Sequence, residues 1–146
     1  MKIVEIDGFA VVGRSVRTSN DKEMSGNGAI PRLWQTATTG SPDGRRIALY
    51  TDYESDERGP YTFVLGARAG QGASAGGGTV LKKVPAGKYA LFTSEPGPVP
   101  LVVVETWMQI WAMKDYERSF VTDFEVYDER AADPQNTVVD IYVGVK

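Results

Sequence analysis

Four short patterns in this 146-residue chain each come twice, 77 to 79 residues apart. Gly8-Phe-Ala is answered by Gly87-Lys-Tyr-Ala, and Leu33-Trp34 by Ile110-Trp111. Ala48-Leu-Tyr50 is answered by Glu125-Val-Tyr127, and Phe63-Val-Leu-Gly66 by Ile141-Tyr-Val-Gly144. Self-similarity at a fixed offset is the signature of a repeated supersecondary unit, which cannot bury its apolar face alone. The expected fold is therefore α+β: a pseudo-twofold duplication of a strand-helix-strand-strand module, forming an antiparallel sheet with two helices on one face. The single domain 1–146 divides into pseudo-repeats of about 1–66 and 79–146, with the Gly/Ala/Ser-rich run 67–78 as a connector that tolerates shortening. Two halves meeting on one sheet leave a groove at their junction, a common place for ligands.

Local patterns support each unit. Ile3 to Val16 is rich in Val, Ile and Phe and reads as a strand pair or one long bent strand; RTSNDKEMSGNG after it reads as a loop. Ile30, Leu33, Trp34 and Ala37 recur at i, i+3, i+4, i+7, one helical face, with Pro31 in the first turn and Gly40 past the end. Ile47 to Tyr53 and Tyr61 to Gly66 form a hairpin across the polar turn at Ser55 to Pro60. Thr79 to Val84 and Gly87 to Phe92 read as strand. In Leu101 to Lys114 the helical period is carried by Val103, Trp107, Ile110 and Trp111. Phe124 to Tyr127 and Val138 to Val145 close the chain as strands.

Composition removes whole classes of chemistry. Cys and His are both absent. That excludes disulfides, thiolate or imidazole metal sites, a cysteine nucleophile and a Ser-His-Asp triad. Any chemistry must come from carboxylates, Tyr, Lys or backbone, and no cofactor is expected. With 16 Lys and Arg against 19 Asp and Glu there is no basic surplus for a duplex-binding face, so direct nucleic-acid binding is not expected. No apolar run approaches the ~20 residues that span a bilayer, and the N-terminus has no signal-peptide pattern, so the expected compartment is the cytoplasm. Gly70-x-Gly72-x-x-Ala75 formally fits a dinucleotide fingerprint, but strand-like TVLKKVP follows it where a helix is needed. The acids Asp52, Glu54, Asp56 and Glu57 lack calcium-loop spacing and read as a solvated turn.

Trp107-Met-Gln-Ile-Trp111, then Asp123-Phe-Glu125-Val-Tyr127-Asp128, then Val139-Asp-Ile141-Tyr-Val-Gly-Val-Lys146 resemble the GyrI-like effector-binding domain. That domain is the ligand sensor of AraC-type and MerR-type transcription activators, and it also occurs free-standing in integron-cassette effector-binding proteins. Ile30-Pro-x-Leu-Trp34, Tyr50-Thr-Asp-Tyr53-Glu54, Gly59-Pro-Tyr61 and Pro85-Ala-Gly87-Lys-Tyr89-Ala agree with it. Gly144 departs from it, since many members carry Pro there; that is expected to bear on strand-edge geometry and not on the pocket.

The resemblance implies that Glu125 sits in the groove and recognises flat, apolar cations. The physics agrees: a carboxylate among rings is costly when unpaired, and a lipophilic cation relieves that cost. Alternation along the strand puts Asp123, Glu125 and Tyr127 on one face and Phe124, Val126 and Asp128 on the other. Trp107 and Trp111 share a helix face, at least one of them in the core and one reaching the groove. Trp34 mirrors Trp111 and Tyr50 mirrors Tyr127 on the opposite wall; Tyr53 falls on the other sheet face by parity unless a bulge intervenes, and Tyr89 caps one end.

The leading expectation is a stand-alone binding domain for a small apolar or cationic organic ligand, with no helix-turn-helix of its own. A second is a hydrolase of strained electrophiles, with Glu125 as base and Tyr127 or Tyr50 as acid; a phenol or second acid within hydrogen-bond reach of Glu125 would favour it. A third is an interaction role, as an acidic inhibitor of a topoisomerase or the sensor partner of a regulator.

Overall fold

The computed structural model describes residues 1–36, 45–70 and 75–146. Its strands are β1 (Lys2–Ile6), β2 (Phe9–Thr18), β3 (Arg46–Thr51), β4 (Tyr61–Ala69), β5 (Val80–Val84), β6 (Gly87–Thr93), β7 (Arg118–Tyr127) and β8 (Asp140–Val145). Its helices are α1 (Asn20–Met24), α2 (Ile30–Thr36) and α3 (Leu101–Ala112). All strands join one antiparallel sheet in the order β1-β6-β8-β7-β3-β4-β2-β5. The α+β class and the antiparallel sheet expected from the sequence are what the chain forms.

From the central β3–β7 pair the order runs outward alike on both sides: β3, β4, β2, β5 and β7, β8, β6, β1. The outermost strands are exchanged. The early strand β1 pairs with β6, and the late strand β5 pairs with β2. Strands β1 and β2 thus lie six places apart in the sheet, roughly 29 Å if it were flat. Only Asp7 and Gly8 join them, a reach of about 11 Å between Ile6 and Phe9. Pro85 and Ala86 likewise join β5 to β6. The sheet must therefore curl until its ends meet, and a side-chain carbon at Gly8 would lie 3.0 Å from the Val84 carbonyl oxygen.

Curling gives the sheet two different apolar layers. The concave face collects residues from both ends and the centre, among them Val11, Leu49, Val64, Val84, Tyr89 and Phe124. The other face carries α2 and α3: Ile30, Leu33 and Trp34 join Trp107, Ile110 and Trp111 over Ala48, Phe63, Ile141 and Val143. Both helices lie on one face, as the periodicity required.

Three local readings are corrected. The polar stretch after β2 is not all loop. Ser19 accepts a hydrogen bond from the Lys22 amide and caps α1, and Glu23 at its end accepts from the Ala29 and Ile30 amides, capping α2 in turn. The run 67–78 is not connector throughout: Ala67, Arg68 and Ala69 belong to β4 and pair with Val12, Val11 and Ala10. Strand β8 is no edge, because it lies between β6 and β7. The expected helix stop at Gly40, the Ala37 position and the second glycine of the fingerprint-like run lie outside the described residues.

The Gly13–Gly66 pair of β2 and β4 is a contact that only glycine permits. A Cβ on Gly66 would meet the Val12 carbonyl oxygen at 2.0 Å, and one on Gly13 would meet that of Leu65 at 2.3 Å. Gly66→Ala is expected to cost about 2–3 kcal/mol in urea unfolding. Gly76→Ala, with open space around the added carbon, is expected to stay within about 0.5 kcal/mol of the parent.

Candidate functional site

The two central strands meet at Ala48 and Glu125, which are register partners and also the two positions equated by the 77-residue offset. The small Ala48 side chain leaves room for the carboxylate beside it. Glu125 is 1% exposed and is a register partner of Ile141 on its other side. Tyr50, two residues beyond Ala48, and Tyr127, two residues beyond Glu125, reach the carboxylate from opposite ends because the strands run antiparallel. The Tyr50 hydroxyl donates to Oε2 at 2.6 Å and the Tyr127 hydroxyl to Oε1 at 2.5 Å. From α3, the indole Nε1 of Trp107 donates to Oε2 at 2.7 Å.

All three donors are neutral. Among the described residues no Lys or Arg pairs with Glu125. Burial pushes its pKa above the ordinary glutamate range, and the bonds from Tyr127, Tyr50 and Trp107 pull part of the way back. Burial, followed by the nearby carboxylate, holds the Tyr50 and Tyr127 phenols well above their ordinary value, so both stay protonated donors.

Rings close the layer. The Tyr50 ring sits 5.4 Å from Trp107 and 5.2 Å from Phe63. Trp34 of α2 meets Tyr127 edge-on at 4.8 Å, and Trp111 lies 6.1 Å from Trp107. The groove expected at the junction is thus filled by side chains, and a surface hollow of about 420 Å³ lined by Trp111, Phe120 and Arg118 stops short of Glu125. The rings that fill it include the three that donate to the carboxylate, Tyr50, Tyr127 and Trp107.

A second buried carboxylate stands beside the first. Asp123 is fully buried and pairs with Arg118 at 2.7 Å. It also accepts from the Gly144 amide at 2.8 Å and from the Tyr53 hydroxyl at 2.5 Å. A bulge in β7 between Arg118 and Asp123, with Phe120 at φ 53°, brings that arginine back onto its own strand. Asp123 therefore has a counter-charge, and among the described residues Glu125 has none.

Six of the seven residues expected at the site come together: Glu125, Tyr127, Tyr50, Trp107, Trp111 and Trp34 all belong to the layer under the helices. Tyr89 does not. Alternation along β6 turns it to the concave face, where its hydroxyl donates to the Pro85 carbonyl and its ring meets Phe124. Tyr53, set on the other face by parity, lies on the helix side, because Asp52 adopts φ 52° and resets the alternation. Arg118 went unread. Its signal is positional, five residues before Asp123, and becomes visible only once the bulge is known.

Replacing Asp123 with Asn leaves the buried guanidinium of Arg118 without its counter-ion, and is expected to cost about 3 kcal/mol in chemical unfolding. Tyr50→Phe removes one of three donors and is expected to cost about 1–2 kcal/mol. Ionisation of Glu125 opposes folding, since its folded pKa lies above the unfolded one. Its contribution is most favourable below the unfolded value and is lost as pH rises through the folded value. The stability difference between wild type and Glu125→Gln, measured from about pH 4 to about pH 8, should therefore shift in favour of the variant as pH rises.

The sequence matches the model of the integron-associated effector binding protein family over residues 2–145. It is 38% identical to the candidate transcriptional regulator YobU of Bacillus subtilis, over 99% of this chain and 96% of that protein. With the transcriptional regulator BrlR of Pseudomonas aeruginosa the identity is 30% over 99% of this chain, which spans about half, 54%, of that longer protein. Among solved structures, an integron cassette protein from the mobile metagenome of Vibrio cholerae superposes with a TM-score of 0.78 at 31% identity, over 99% of this chain and 95% of that one. SAV2435, solved bound to tetraphenylphosphonium, shares the fold at a TM-score of 0.73 and 15% identity, over 99% and 93% of the two chains. A match that runs nearly end to end, joined to the same architecture, makes this chain a member of the integron-associated effector-binding proteins.

Proposed function

We propose that this effector-binding domain takes up lipophilic organic cations, with Glu125 as the counter-charge and Tyr50, Tyr127, Trp34, Trp107 and Trp111 as the walls. The observation that carries the reading is the imbalance between the two buried carboxylates: Asp123 has its arginine, whereas among the described residues Glu125 has only neutral donors. A cation in the layer supplies the missing charge, and each ring face adds about 0.5–2 kcal/mol of cation–π attraction. Charge sign and flatness then select the ligand more than directed hydrogen bonds do, so one site accepts many shapes. Because the layer is closed by rings, uptake involves moving Trp34 or Trp107 aside with its helix. Binding of tetraphenylphosphonium by SAV2435, a protein of the same fold, supports the class of ligand.

Titration of tetraphenylphosphonium against tryptophan fluorescence tests this. Glu125→Gln is expected to weaken the cation at least tenfold, roughly one charge-assisted contact, while changing the neutral analogue triphenylphosphine oxide by less than about twofold. Equal losses for both would refute the role of the carboxylate. Affinity for the cation should climb with pH through the raised Glu125 pKa, because only the ionised form attracts it.

One observation favours a second reading. Two phenols lie within hydrogen-bond reach of Glu125, the arrangement that a base and an acid acting on a strained electrophile require. Incubation with styrene oxide separates the two readings. Diol formation that disappears in both Glu125→Gln and Tyr127→Phe supports the hydrolase; binding without turnover supports the sensor.

A further inference from the structure

The curl of the sheet leaves a second hollow, of about 390 Å³, on the face opposite Glu125. It opens where β3 begins and β7 ends. Its floor is the Phe124 ring, which stacks on Tyr142 at 4.6 Å and 8° and is met edge-on by Phe9 at 5.4 Å. Ile6, Phe9, Val126 and Tyr142 are each only half-buried around it, so the apolar surface they present is open to a guest.

The charge at its rim is opposite to that of the first site. Arg68 holds its guanidinium 4.5 Å from the centre of the Phe9 ring and makes no hydrogen bond among the described residues. Arg45 also lines the opening, and its guanidinium lies 3.8 Å from the Glu129 carboxylate. Asp7 is the one acid among the described residues of the lining. Alternation along β7 is what separates the charges: Glu125 faces the helices, while Phe124 and Val126 on either side of it face the hollow.

We propose that this hollow is a binding site for a flat organic anion, its rings lying against the half-buried Ile6, Phe9, Val126 and Tyr142 and its carboxylate or sulfonate held by Arg68 and Arg45. A guanidinium already resting on a ring loses little freedom on forming a charge-assisted bond, and the volume suits a two- or three-ring body. The site is independent of the cation reading, since it shares no side chain with it.

The probe is 1-anilinonaphthalene-8-sulfonate, followed by its own fluorescence. Arg68→Ala, an exposed position, is expected to weaken it at least fivefold, about one charge-assisted bond. Val126→Trp, which fills the hollow, should abolish it. Glu125→Gln and saturating tetraphenylphosphonium should each leave it within about twofold. Binding untouched by both Arg68→Ala and Val126→Trp, displacement by tetraphenylphosphonium, or no saturable binding at all would overturn the proposal. If Val126→Trp does not fold, Arg68→Ala and Arg45→Ala decide it alone.

Discussion

An ionisable group that is 1% exposed and has no opposite charge beside it among the described residues sets the terms for everything around it. Removing a carboxylate from water costs several kcal/mol unless hydrogen bonds replace its hydration. Tyr50, Tyr127 and Trp107 supply those bonds, and each can do so only from one place. The two tyrosines must stand two residues along antiparallel strands, and the indole must come down from a helix laid across them. The same rings that satisfy the anion also shut it in. Proton uptake is one way to relieve the remaining cost; under the proposed function a cation is the other, and protonation would then compete with the ligand for the same group.

The fold makes this arrangement easy to reach. The site lies where two similarly ordered half-sheets join, so a residue and its counterpart face each other across one ladder. Ala48 and Glu125 are such a pair, and their inequality leaves one carboxylate where two would repel. Exchange of the outer strands ties the halves together: neither half completes its four strands alone. The short β1–β2 and β5–β6 links then force the curl, which buries Leu49, Val64 and Phe124 beneath the site and gives β3 and β7 a rigid backing.

Much of this was legible in the residues. The doubled patterns gave the strand order a symmetric expectation, and the 3.6-residue period of Trp107, Ile110 and Trp111 placed α3 on the sheet by its indoles. Alternation in Asp123 to Asp128 sorted Glu125 from Phe124. What could not be read were the points at which the backbone leaves its regular path. Asp52 at φ 52° turned Tyr53 to the helix side, and the β7 bulge turned Arg118 onto Asp123. Tyr89 failed for the opposite reason. It obeys strand alternation, but likeness of its neighbourhood to that of Gly8 said nothing about which face it takes. The filling of the groove by rings follows from the hydrogen-bond demand of a buried anion, a property of the packed interior that no local pattern records.

The carboxyl carbon of Glu125 reports most directly on these ideas. With the glutamate side chains labelled with carbon-13, its chemical shift can be followed against pH in the free protein and again with tetraphenylphosphonium at saturation. The account requires the free protein to titrate above the ordinary glutamate range, and the cation to move that transition to lower pH. A Glu125 that titrates at or below the ordinary range, unmoved by the cation, would contradict it.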